Sequence, residues 1–159
     1  MSALVFFVLA FAIGVVAGLR ALTAPMVVSW AARFGWIDVQ HTWAGFLARG
    51  VTPWILTVVA VAELINDQNP KTPSRTKPPS FVFRVVSGAF SGAALAAGSE
   101  HAVVVGGMLG AAGAVAGTLG GYTARTQLVK ALHVRDLAIA LPEDALAVGG
   151  GFLIAALFR

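Results

Sequence analysis

Cysteine is absent from this 159-residue chain, so it can form no disulfide, thiolate metal site or cysteine nucleophile. Charge is scarce as well. Asp, Glu, Lys and Arg make up 11% of the residues, where soluble domains carry roughly 25%. A soluble domain of this size could not cover its surface with so few charges, so the expected solvent is a lipid bilayer. The first nineteen residues lack the Lys or Arg that a secretory signal places before its apolar stretch, and residues 2–19 are read as a retained span. Also missing are an H-E-x-x-H pair and a Gly-rich phosphate loop. His41, His101 and His133 fall on different expected loops, and no serine has a histidine placed to activate it. The expectation is therefore no enzyme, no catalytic residue, no metal and no cofactor.

What the chain does have is 58% hydrophobic residues and a mean hydropathy of +0.84. Its apolar runs cover residues 2–19, 50–62, 85–99, 102–124 and 137–158, the last long enough to span only if Glu143 and Asp144 lie inside it. About 20 apolar residues cross the hydrocarbon layer as a helix. The pattern predicts an all-α integral membrane protein: one domain over 1–159, a bundle of about five transmembrane helices, and residues 66–84 as a polar, proline-rich loop between spans. Residues 20–39, broken by Pro25, read as a helix continuation or an interfacial segment, with Trp30, Trp36 and Trp43 at headgroup level. Pro70 should stop the second span. The net charge of +4 comes from bases between apolar runs, which suits an anionic membrane face better than nucleic acid. Five spans would put Lys71, Arg75, Lys77, Arg84, Arg125, Lys130 and Arg135 on the side where the chain starts. The excess of positive charge in cytoplasmic loops then predicts a cytoplasmic N-terminus.

Gly14 and Gly18, Gly88 and Gly92, Gly106 and Gly110, Gly113 and Gly117, and Gly117 and Gly121 are spaced four apart. Such spacing gives a helix a smooth face that another helix can approach closely. Packing within one subunit is the first reading, and a homo-oligomer contact the second. "GVVAG" at 14–18 is echoed by "GAVAG" at 113–117. In a five-span chain those two helices run oppositely, so the echo would be a weak inverted repeat, a plan used by transporters.

Glu63 and Asp67 share a helix face and repel unless a cation pairs with them or one is protonated. Glu143 and Asp144 follow Pro142, which reads as a helix start or as the break in a discontinuous span. Five-span topology brings these four acids to one end of the bundle with Arg84 and Arg125. Charges inside a membrane are costly and are usually paired or functional. The expected site is a charged vestibule with an acidic excess that a cation or a proton could balance.

"AELINDQNPKTPSR", "FRVVSGAFSGAAL", "LPEDALAVGGG" and "GLRALTAP" resemble the DUF4126 family of small bacterial integral membrane proteins. The matching positions are Glu63, Asp67, Pro70, Arg84, Gly88, Glu143 and Asp144. The family pattern has a further acid and a histidine where Ser74 and Tyr122 stand here. The resemblance implies the bacterial inner membrane and no assigned reaction. The functional expectation is a small carrier or permeation protein for an ion or small solute, with the charged vestibule binding a cation or proton or acting as a gate. The alternative is a non-catalytic scaffold whose ion pairs lock the bundle. An enzyme acting on a lipid headgroup ranks third.

Overall fold

The computed structural model describes residues 1–67, 75–133 and 136–159; Pro70 lies outside them. It is all-helical, 81% helix, with no strand among the described residues. The helices are α1 (Ala3–Leu19), α2 (Thr23–Arg33), a 3₁₀ helix (Trp43–Ala48), α3 (Thr52–Asp67), α4 (Pro78–Ala97), α5 (Val103–Leu132) and α6 (Asp136–Ala156). Among the described residues, Pro78–Ala97, Val103–Leu132 and Ala138–Ala156 are long and apolar enough to cross a membrane, three against the five expected. α1 has 17 residues and α3 has 16. The connection expected over 66–84 is shorter at both ends. α3 carries through Asp67, and α4 starts at Pro78, where the missing proline N–H costs nothing.

The central seam is glycine. A Cβ on Gly14 would stand 2.1 Å from the Gly110 carbonyl oxygen, and one on Gly110 would stand 2.1 Å from that of Gly88. Gly92 meets Gly106, Gly18 meets α5 near Ala114 and Gly117, Gly113 meets Phe11, and Gly117 meets Val15. The expected glycine faces thus press α1, α4 and α5 together backbone to backbone, except at Gly121, which meets the side chains of Leu19, Arg75 and Glu143. Outside the bundle, large apolar side chains such as Leu4, Val58, Val104, Met108, Leu146 and Leu153 are exposed. That is the surface a lipid-facing protein presents.

The pairing also fixes directions. On α1 and α5 the contacts rise together, Phe11 with Gly113 and Gly18 with Thr118, so these two helices run the same way. The 14–18 and 113–117 echo is therefore not an inverted repeat. The reason is α2. Residues 20–33 do not continue α1. The chain turns at Arg20–Leu22, and α2 returns through the bundle with nine of its eleven residues buried. Pro25, in the first turn of α2, needs no hydrogen-bonded N–H. α2 meets α3 antiparallel, with the Trp30 indole Nε1 donating to Thr57 Oγ1 at 2.9 Å. Beyond α2 the chain folds under the bundle, where Ser29 Oγ donates to the Leu47 carbonyl at 2.6 Å and Trp43 packs edge-on against Phe90. This extra pass sets the start of α1 and the end of α6 at the same end of the bundle, opposite the charged end.

Pro142 does not open or break a helix. α6 starts at Asp136 and runs through it. One hydrogen bond is lost, and the first-turn acid is Asp136 rather than Glu143 or Asp144.

A buried ion-pair network as candidate functional site

The charged end is organised by the corner between α1 and α2. A helix leaves carbonyls unpaired at its C-terminus and amides unpaired at its N-terminus, and in an apolar interior each is costly. Here α3 and α4 supply both sets of partners. Arg84, on α4, donates from Nη1 to the carbonyls of Gly18 at 3.1 Å and Leu19 at 2.7 Å. Glu63, on α3, accepts from the amides of Ala21 at 2.8 Å and Leu22 at 2.7 Å. Leu22, the residue that caps α2, has no side-chain bond of its own to offer. Thr118 Oγ1 reaches the Gly18 carbonyl at 3.2 Å, and Ser87 Oγ donates to the Ala21 carbonyl.

Arg20 occupies the middle of the corner and is fully buried. Its Nη1 donates to Asp67 Oδ2 at 2.6 Å and its Nε to Asp144 Oδ1 at 2.5 Å, joining α1 to α3 and α6. Asp67 also accepts from Arg84 Nη2 at 3.0 Å, whereas Glu63 stands 3.8 Å from that nitrogen. The Glu63–Asp67 repulsion is thus relieved by two arginines. Glu63 is balanced chiefly by the amide end of α2, whose dipole favours an anion. Arg84 Nε, Arg20 Nη2 and Thr23 Oγ1 are buried without a hydrogen-bond partner among the described residues. Arg20 Nη2 nevertheless lies 2.5 Å from the Asp144 carboxylate, so it is electrostatically paired but poorly angled.

A second lobe surrounds Glu143. Arg75 grips it in bidentate fashion, Nη1 to Oε1 at 2.5 Å and Nη2 to Oε2 at 3.1 Å, and Arg125 Nη1 lies 3.3 Å from Oε2. Gly121 makes room: a Cβ there would come within 3.1 Å of the Arg75 guanidinium and 3.3 Å of Glu143. At the rim, Arg125 Nε donates to Asp136 Oδ1 at 2.8 Å, and its Nη2 to Oδ2. Those bonds hold the exposed Asp136 carboxyl below its ordinary range.

The six residues expected to converge do so: Glu63, Asp67, Arg84, Arg125, Glu143 and Asp144. Sequence reasoning missed Arg20, which it set at the opposite end of the bundle, and it left Arg75 and Asp136 unassigned. Their inclusion changes the electrostatics. Instead of four acids and two bases, the network holds five acids and four arginines among the described residues. Among the described residues its buried part holds four carboxylates and four guanidiniums, with Asp136 more exposed. Among the described residues, the acidic excess expected to recruit a cation or a proton is absent there. The available signal for Arg20 was the "GLRALTAP" stretch, in which an arginine stands just before a proline-marked helix start. Among the described residues, no three His, Asp or Glu side chains are grouped to hold a metal.

A family model described as "Domain of unknown function (DUF4126)" matches residues 7–158, nearly the whole chain. No curated protein and no solved structure gives a match.

Proposed function

The chain belongs to the DUF4126 family, and from its own geometry we propose that it is a small permeation protein whose arginine–carboxylate network is a closed gate. The observation that carries this reading is the depth of Arg20. From Asp144 to the end of α6 at Ala156 is about 18 Å, and from Arg84 to the end of α4 at Ala97 about 20 Å. A hydrocarbon layer is about 30 Å thick. With the far helix ends at one surface, Arg20 lies on the order of 10 Å inside the other. An arginine held there between acids on two different helices is costly, and it closes the space between α1, α3 and α6. Exchanging partners would open that space without leaving a charge unpaired. α1, α3 and α5 run toward the gate and α2, α4 and α6 away from it, so the working topology is six alternating passes, with α2 a short inner one.

The membrane is read as the bacterial inner membrane. Arg75, Lys77, Arg125 and Lys130 lie at the gate end, and Arg33, Arg49 and Arg159 at the other. The positive-inside rule then makes the gate end cytoplasmic and puts the start of α1 outside, opposite to the orientation expected from five spans. The solute is a small ion, no reaction is involved, and the protein works as a monomer or a homo-oligomer.

A second reading, the non-catalytic scaffold, is favoured by one observation: every carboxylate of the network already has a partner. Flux separates the two. Protein in liposomes is assayed for proton, potassium and chloride movement, with Glu143→Gln as the weakened gate. The gate reading expects low flux in the wild type and a several-fold rise in the variant. Liposomes equally tight with both proteins, the variant being merely less heat-stable, would leave the scaffold.

A further inference from the structure

The end opposite the gate holds a cavity of about 670 Å³ between the last turn of α2 and the 3₁₀ helix, within the range that houses small ligands. Its polar lining is Arg33, Gln40, His41 and Arg49, and no carboxylate lines it. The nearest acid in sequence, Asp38, is not part of the lining; its Oδ1 accepts from the Gln40 backbone amide at 3.1 Å.

Four of the chain's arginines are spent on carboxylates at the gate. Arg33 and Arg49 meet none among the described residues. Arg33 Nη1 only reaches the carbonyls of Ala48 and Gly50, both at 3.5 Å. That is too long to fix the guanidinium, which is left free to turn toward the cavity. Two planar guanidiniums with an imidazole and an amide beside them form a donor set suited to an oxyanion, because arginine binds phosphate oxygens in pairs. The surroundings set the level in the membrane. Trp30 stacks on Phe34 with ring centroids 5.3 Å apart and meets Trp54 edge-on at 5.0 Å, while Phe34 lies 5.4 Å from Trp36. Clustered Trp and Phe next to cationic residues mark the headgroup layer.

We propose that this cavity binds a phosphate group, offered either by an anionic lipid headgroup or by free phosphate. The site is independent of the gate, since it shares no residue with it and lies at the other end of the bundle.

The test uses the full chain in detergent. One arm counts phosphatidylglycerol molecules retained in native mass spectrometry. The other measures thermal midpoint in inorganic phosphate against chloride at equal ionic strength. The variant is R33Q/R49Q, at two exposed positions. The control, K77Q/K130Q, removes the same charge from the opposite end. Loss of about tenfold in affinity per arginine is expected in R33Q/R49Q, with the control unchanged. Lipid retention lost only in R33Q/R49Q identifies a headgroup site. A phosphate-dependent rise in midpoint lost only in that variant identifies a free-phosphate site. Equal losses in the two double variants, or a wild type that responds to neither ligand, would overturn the proposal.

Discussion

The glycine seam and the charged end hold different helices by opposite means. In the seam, α1, α4 and α5 approach because side chains are missing: Gly14, Gly88 and Gly110 expose backbone to backbone, and the attraction is many small contacts that weaken steeply with distance. At the charged end, α2, α3 and α6 are tied to that unit by a few long side chains, chiefly Arg20, Glu63, Asp67 and Asp144. A seam of glycines has one arrangement. A set of arginines and carboxylates has several of similar electrostatic energy, because guanidinium and carboxylate partners can be exchanged. The rigid part and the rearrangeable part of this molecule thus lie at different levels, with α1, α4 and α5 contributing to both.

Breaking the charged end should cost most. Arg20→Met removes the cation that Asp67 and Asp144 share, leaving Asp67 with Arg84, and breaking a buried ion pair by removing one partner costs about 3–5 kcal/mol. Folded protein recovered in mild detergent should fall sharply. Adding Asp67→Asn and Asp144→Asn should restore part of it, since apolar or neutral replacements of a whole buried group are often tolerated. No recovery in the triple variant would mean that Arg20 acts by shape rather than charge.

The seam should respond to a smaller change. Gly110→Ala adds one methyl where the Gly88 carbonyl oxygen is 2.1 Å away, so α4 must move. Overpacking of this kind costs about 1–3 kcal/mol. Gly120→Ala, where nothing lies within 4 Å, is the matched control. The two variants should differ in thermal midpoint by several degrees, and equal midpoints would dissolve the contrast between seam and gate.

The rim of the network should show the least. Asp136 has its carboxyl pKa lowered by Arg125, so its contribution is present above the unfolded aspartate value and is lost as pH falls through the lower folded one. Exposed pairs are worth about 0.2–1 kcal/mol. Asp136→Asn should lower stability slightly at pH 7 and flatten the acid limb of a stability–pH curve. A variant with an unchanged acid limb would place that titration elsewhere in the network.

The sequence made these two regions legible to different degrees. Glycines four apart report directly on a helix face, so the seam was readable without knowing the topology. The convergence of Glu63, Asp67, Glu143 and Asp144 with Arg84 and Arg125 was also readable, because both acidic pairs sit at run ends that must meet. Arg20 was not. An arginine after an uncharged run ordinarily marks the membrane surface, and only the return of α2 encloses it. α2 itself is short, contains a proline and carries no span-length apolar run, so its burial is a tertiary fact. Pro142 misled for a related reason. Proline followed by acids is a helix start when nothing apolar precedes it, whereas "LAIAL" before it continues the helix back to Asp136.

The Arg20–Asp144 bond spans 124 positions in the chain. During synthesis α1 and α2 emerge long before α6 exists. Until then the arginine has no Asp144 to meet, and the corner carbonyls and amides wait as well for Arg84 and Glu63. The first hairpin therefore cannot settle at its final depth on its own. It must stay where water or another protein can solvate the guanidinium, and the bundle closes only once α6 has been made.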